Sequence, residues 1–389
     1  MEAYLLDWLA LLVRWAHLVV GIAWIGASFY FVWLDNHLEP SPDPRLAGDL
    51  WAVHGGGFYH AEKFRGVPPR MPARLHWFKW EAYWTWITGF FLLVLVYYAG
   101  AEIYLVDPAV MALSKSLAIG IGLGSLVAGL AIYEVLCRLL KNDSYLAAIL
   151  FVLLAALAWG LCQVFGGRGA FIHYGAILGS IMVANVAHII IPGQRRMVAA
   201  LAAGREPDPA DGAAGKQRSV HNTYFTLPVL FTMIASHYPM TFGGRWNWLV
   251  LVALTLAGGL IRVWFVMRHK GAAPAWPLAA GLGLIVVLVF FLSPVKEKDV
   301  QGEVRFETVQ RIVQLRCAGC HAPKPTFPGI AEPPKGLLLD TPERIRMQAA
   351  PILAQTVVAR AMPPGNLTQM TEEERALLGR WIGSGARTD

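Results

Sequence analysis

The sequence predicts an all-α protein: a polytopic membrane bundle of about eight transmembrane helices joined to a small soluble domain. Three observations carry that expectation. Hydrophobic residues make up 56% of the 389 positions and charged residues 15%, with a mean hydropathy of +0.47, far from the balance of a soluble globular chain. Apolar runs recur near 9–33, 81–100, 116–137, 145–165, 172–192, 222–238, 247–268 and 275–293. Their lengths approach the roughly 20 residues needed to span a hydrocarbon core about 30 Å thick. Polar sequence returns sharply after Pro294, which divides the chain into a bundle over 1–295 and a second domain over 296–389.

The first run is too long for the apolar region of a signal peptide, and no small-residue cleavage site follows it, so it is expected to stay as the first helix. Around the start of the second run stand Trp77, Trp80, Tyr83, Trp84 and Trp86, rings that favour the headgroup layer. The sixth run carries Pro228 between His221 and His237 and is expected to be kinked, broken or sheltered by protein. Residues 204–216, with Pro207, Pro209 and several Gly and Ala, read as a flexible loop.

Loops 34–79, 138–144, 193–221 and 268–274 hold fifteen Lys and Arg, against three (Lys115, Arg168 and Arg245) in the alternate loops. The positive-inside rule makes the first set cytoplasmic. It places the N-terminus and the second domain on the periplasmic side of a bacterial inner membrane. The same loops account for the formal net charge of +7, and no nucleic-acid signature is present.

In the second domain, Cys317-Ala318-Gly319-Cys320-His321 is a C-x-x-C-H arrangement, in which two thiols add to haem vinyl groups and the histidine ligates the iron. A redox dithiol or half a zinc site would need a thioredoxin-like strand pattern or a second Cys pair, and neither surrounds it. The expected cofactor is one covalent haem c in a class I type cytochrome c domain. Met362, in Ala361-Met362-Pro363-Pro364-Gly365, is the candidate second axial ligand, ahead of Met347 and Met370, which lie in and just before probable helices. Thioether with imidazole raises the reduction potential, as suits an electron acceptor. Thr371-Glu372-Glu373-Glu374 reads as a capping box opening a helix with an apolar stripe of Leu377, Leu378, Trp381 and Ile382. That helix should pack on one near 303–316 through Phe306, Val309, Ile312, Val313 and Leu315.

Ionisable side chains inside a membrane are expensive, so the histidines of the bundle are candidate haem b ligands. His17 leads them: it shares a helix face with Gly21 and Trp24, and a glycine one turn away can leave room for a flat macrocycle. The plainer reading is a histidine hydrogen-bonded across the bundle. By depth, His173 and His237 join His17 in the outer half, and His188 and His221 lie toward the cytoplasm. His54, His60 and His76 belong to the loop after the first helix, where a Gly-rich turn with Glu62 and Lys63 could bind an anionic heterocycle or be an ordinary interfacial loop. Glu81 and Glu134 could relay protons or pair with Lys79 and Arg138, and Cys137 and Cys162 read as inert small hydrophobes.

Across its whole length the chain resembles the membrane-bound urate oxidases that fuse an eight-helix domain to a C-terminal cytochrome c. The resemblance rests on Arg14 to Phe29, His54 to Phe64, Leu75 to Glu81, Asn185 to Pro192 and His221 to Pro228. It implies oxidation of urate to 5-hydroxyisourate, with water as the oxygen source and electrons leaving through the cytochrome c to a downstream cytochrome c or terminal oxidase. His54, His60, Glu62, Lys63 and Glu81 are candidates for the base and cation such chemistry needs. Competing readings are a quinol-to-cytochrome c oxidoreductase and a non-catalytic haem relay subunit.

Overall fold

Each of the eight apolar runs lies on a helix in the computed structural model, which describes residues 2–388 apart from 67, 70, 270, 272–273, 294–303, 329 and 359. The bundle comprises α1 (Glu2–His37), α2 (Trp80–Leu92, prolonged by wide π turns over Leu93–Tyr98), α3 (Ala101–Tyr104), α4 (Lys115–Leu139) and α5 (Asp143–Val164). It continues with α6 (Gly167–Ala184, prolonged by π turns over Asn185–Ile190), α7 (Ile191–Ala202), α8 (Pro209–Ala235), α9 (Pro239–Phe242), α10 (Asn247–His269) and α11 (Trp276–Phe291). Five segments among the described residues are long and apolar enough to cross a membrane: Trp8–His37, Lys115–Leu139, Asp143–Val164, Gly167–Ala202 and Asn247–Arg268. The boundary expected at 295/296 falls outside the described residues.

Helix ends follow local chemistry. Ser114 accepts a hydrogen bond from the Leu117 N–H, and Asn142 accepts from Ser144 and Tyr145, satisfying N–H groups that a first helical turn leaves open. Between helices, α6 and α8 approach so closely that a Cβ on Gly175 would collide with the Thr232 side chain. Phe171, Tyr174, Ile177 and Leu178 of α6 lie in the core, while α1 leaves Trp8, Leu11, Trp15 and Ile22 exposed, as a lipid-facing helix would.

Three expectations need correction. The loop over 34–79 contains an antiparallel hairpin, β1 (Leu46–His54) and β2 (Gly57–Phe64), so the chain is not wholly α. Gly55 and Gly56 take φ of +59° and +80°, the left-handed pair that a two-residue hairpin turn demands, and Trp51, Val53, Phe58 and Tyr59 suit strands. The segment expected as a loop over 204–216 is helical from Pro209: Asp208 caps the Ala210 N–H, and proline at the first helical position lacks only an N–H that has no partner there. The same helix runs on through Pro228 to Ala235 without a break.

The C-terminal domain is built from α12 (Phe306–Arg316), α13 (Ala318–His321), α14 (Pro342–Met347), α15 (Ala349–Ile352) and α16 (Glu372–Gly383). The Thr371 hydroxyl accepts from the Glu374 N–H and the Glu374 carboxylate accepts from the Thr371 N–H, the capping box read from sequence. Phe306, Val309, Ile312 and Val313 of α12 share a core with Leu378 and Trp381 of α16, with the Phe306 and Trp381 rings 5.7 Å apart. The third correction is Leu315, which is 62% exposed and lies off that face.

This domain meets the bundle through the turn Pro364–Asn366, beside α3. Gly365 sits there with φ +54°, and a Cβ on it would stand 3.0 Å from the Val106 carbonyl oxygen.

Candidate functional site

Chemistry-bearing side chains gather in three places. In the C-terminal domain, α13 carries Cys320 and His321, and Cys317 stands at its N-cap. The His321 Nδ1–H donates to the Leu337 carbonyl at 3.1 Å, which fixes the ring and leaves Nε2 as the nitrogen free to ligate. Burial pushes the Cys317 thiol up to about 12 and the Cys320 thiol upward as well, because a thiolate is poorly solvated there. The methionines separate by environment: Met370 is 3% exposed within the core, Met347 is 74% exposed, and Met362 is half-buried. The Arg375 guanidinium donates to the carbonyls of Thr356 and Met362, and the Met362 N–H donates to Gln355, so the Met362 loop is held at both ends. These residues fit a haem c, whose iron needs only two protein ligands. Among the described residues no cluster of three or more His, Cys, Asp or Glu could hold a bare metal ion.

The second place is the end of the bundle nearest that domain. His173, fully buried, donates from Nδ1 to the Gly169 carbonyl at 2.8 Å and accepts at Nε2 from the Tyr98 hydroxyl at 3.1 Å. A Cβ on Gly122 would lie 2.6 Å from that Nε2. With both nitrogens bonded and a helix backbone against it, His173 does not fit as a haem ligand; it ties α4, α6 and the π turns after α2 together. His17 is different. Its Nδ1 meets the Thr88 hydroxyl at 3.0 Å, the hydrogen bond across the bundle, the Thr85 backbone is also within reach, and the ring is only half-buried, so it is less completely enclosed than His173. Gly21, read as room for a macrocycle, faces α2, where a Cβ would stand 4.0 Å from the Thr85 methyl. His188 and His237 are exposed.

The third place is the opposite end, where α4, the π turns after α6, and α8 converge. Tyr133 hydroxyl and His221 Nδ1 are 2.8 Å apart; Asn185 Nδ2 donates to the Tyr133 oxygen and to Asn222 Oδ1, both at 2.9 Å, and Asn222 Nδ2 donates to the Met182 carbonyl at 3.0 Å. The Arg218 guanidinium lies 4.9 Å from the centre of the Tyr133 ring and donates from Nη2 to Glu134 at 2.8 Å. Glu134 also accepts from Arg138 at 2.7 Å, the pairing expected for it, and Cys137 lies 3.9 Å from His221 Nδ1. Arg218 is 3% exposed, yet its Nε and Nη1 have no partner. The other buried side-chain polar atoms without partners, among the described residues, are Glu81 Oε2 and Arg262 Nε. Ala82 packs on Val183 and Val186, and Arg262 lies over the Phe29 ring at 4.5 Å, so both belong to this end as well.

The hairpin candidates are engaged locally. His60 stacks on Trp51 at 4.3 Å with Asp49 at 3.4 Å and Glu62 at 3.7 Å, Lys63 pairs with Asp35 at 2.7 Å, and His54 is exposed beside the turn. Sequence reasoning missed Tyr133, Asn185, Arg218 and Asn222. The available signal was an arginine three residues before His221 on what proves to be one helix.

Fold and site define a helical bundle of membrane-crossing type with a buried cationic site, followed by a small helical domain. The chain belongs to the urate oxidase family: the family model described as Urate oxidase N-terminal matches residues 3–293, and the family's activity class is oxidoreductase. No curated protein and no solved structure matches the chain.

Proposed function

We propose that the chain oxidises urate to 5-hydroxyisourate and passes the electrons through haem to a covalent haem c in its C-terminal domain. The reaction balances as urate plus water giving 5-hydroxyisourate, two protons and two electrons, so no dioxygen is consumed at the site. The electrons continue to a downstream cytochrome c or terminal oxidase of the respiratory chain. The bundle lies in a bacterial inner membrane, with the N-terminus and C-terminal domain on the periplasmic side, as the Lys and Arg asymmetry of the loops indicates.

The observation that carries this reading is the seating of the Met362 loop: the turn Pro364–Asn366 abuts α3 of a bundle belonging to the urate oxidase family. Cys317 and Cys320 would hold the haem through its vinyl groups, and His321 and Met362 would ligate its iron. When bound, that haem supplies a one-electron acceptor of raised potential at the edge of the bundle. The chain's own part is to hold His321 through Leu337, to hold Met362 through Arg375 and Gln355, and to keep the loop against Val106. His17 would hold a haem b.

An anaerobic optical titration of the purified, oxidised protein with urate tests the proposal. Urate is expected to reduce the haem c band without any partner protein. Reduction by quinols but not by urate would overturn it in favour of a quinol oxidoreductase, and reduction by dithionite alone would leave a relay subunit. His17→Ala should remove the haem b absorbance and keep the haem c bands; unchanged haem b content would make His17 a packing residue.

A further inference from the structure

A guanidinium carries five N–H donors and a charge that cannot be shed, so burying one with two nitrogens unpartnered is unfavourable unless something else completes it. Arg218 is in that state. One of its nitrogens, Nη2, is taken by Glu134, and that carboxylate is shared with Arg138. Two guanidiniums share the Glu134 carboxylate, Arg138 at the solvent-exposed edge and Arg218 buried, and the next carboxylate, Asp143, lies near His221 instead. The nearby hydrogen-bond network is directional. Asn185 donates to the Tyr133 oxygen; with His221 as the Nε2–H tautomer the Tyr133 proton points to His221 Nδ1, which leaves the phenolic oxygen one lone pair with the Arg218 guanidinium close by. Asn185 is itself held by Asn222, which is held by the Met182 carbonyl. The π turns that begin at Asn185 interrupt the regular helix where this amide is needed, a device common at functional sites.

We propose that Arg218, Tyr133 and His221 form the substrate site, and that its ligand is a planar monoanionic oxopurine carrying an N–H beside its carbonyls. The proposal rests on the urate-oxidising reading above and assigns the residues that reading lacks. Arg218 Nε and Nη1 bind the anionic edge. The N–H of the ligand donates to the Tyr133 oxygen; as the urate monoanion gives up that proton and two electrons, the proton passes to the Tyr133 oxygen while Tyr133 hands its own to His221 Nδ1, and addition of water to the oxidised purine gives 5-hydroxyisourate with release of the second proton. A haem held by the chain would supply the one-electron acceptor. Asn185 and Asn222 are positioning residues that aim the Tyr133 hydroxyl. Glu134, 27% exposed, and Arg138, 74% exposed, form the solvent-side edge of this cluster, at the end of the bundle bearing the Arg- and Lys-rich loops.

The test is anaerobic urate titration of the full-length protein and of Arg218→Gln, Arg218→Lys and Tyr133→Phe, with equilibrium dialysis of labelled urate and dithionite-reduced spectra for haem content. Losing a charge-assisted contact should raise the half-saturating urate of Arg218→Gln by about tenfold or more, with a smaller rise for Arg218→Lys. Tyr133→Phe keeps the ring and should slow haem reduction by about tenfold, while half-saturation rises by less than in Arg218→Gln, as loss of one neutral hydrogen bond requires. Wild-type half-saturation in Arg218→Gln, with haem content intact, would overturn the site and leave the proposed function standing. Loss of a haem b band in that variant, with urate binding per remaining protein unchanged, would overturn it by making Arg218 a haem propionate partner. Should Arg218→Gln fail to fold, wild-type constants in both Arg218→Lys and Tyr133→Phe would overturn it. A wild-type protein that neither binds nor is reduced by urate would remove the function and this site with it.

Discussion

The two ends of the bundle bury polar side chains in opposite ways. At the end near the C-terminal domain, His173 is completely buried with both ring nitrogens hydrogen-bonded, and Gly122 makes way for it. At the other end, Arg218 is nearly as buried with two nitrogens unpartnered, beside Glu81 and Arg262, which also carry unpartnered buried atoms. The same helices serve both: α4 supplies Gly122 and Tyr133, and α6 with its continuation supplies His173 and Asn185. A satisfied neutral group holds helices together; an unsatisfied charge weakens the fold, and a protein that keeps one is using it for something other than stability. Burial alone would have ranked His173 as the better site. Partner accounting reverses that order.

The comparison can be broken most forcefully at Gly122. Gly122→Ala puts a methyl 2.6 Å from His173 Nε2 and 3.0 Å from the Tyr98 hydroxyl, and overpacking of this kind costs about 1–3 kcal/mol. Thermal denaturation in detergent should show a clear fall in midpoint, with urate half-saturation unchanged. His173→Leu removes both hydrogen bonds and orphans the Tyr98 hydroxyl; hydrogen bonds between membrane helices are individually modest, so the loss should be about 1–2 kcal/mol, again without effect on urate affinity. A urate defect in either variant would mean that the two ends are not separate in function.

Arg218→Met sharpens the contrast from the other side. Replacing a buried, incompletely paired charge by an apolar side chain of similar length is often neutral or stabilising, and Glu134 keeps Arg138. The denaturation midpoint should hold or rise while urate affinity is lost; a strongly destabilised variant would show Arg218 to be a structural strut. The smallest effect is expected at the hairpin, where Lys63→Gln breaks a surface pair with Asp35 and should change stability by less than about 0.5 kcal/mol. A large loss of urate oxidation in that variant would return the hairpin to the centre of the chemistry.

Length and periodicity were enough to place the apolar helices, because a membrane-crossing run and an amphipathic helix are local patterns. The capping box at Thr371, the core face from Phe306 to Val313 and the Cys317–His321 motif were legible for the same reason: each is written within a few residues. The hairpin was missed because the glycines between His54 and Phe58 were read as a turn within an interfacial loop while the pairing of the residues on either side was not, and the helix from Pro209 because prolines read as loop when one of them was a helix start.

By itself the sequence determined a bundle of apolar helices, a polar C-terminal segment and the C-x-x-C-H motif of Cys317–His321 within it. Which polar side chains meet was decided only by the tertiary structure. Tyr133 bonds a histidine 88 positions away and Glu134 an arginine 84 away, and nothing in the intervening sequence announces either pairing. The physical reason is that satisfaction of a buried donor depends on the register and rotation of whole helices against one another, quantities that no local window contains. Thus His173 and His221, alike in sequence as histidines on apolar helices, ended as a structural tie and a neighbour of the unpartnered Arg218.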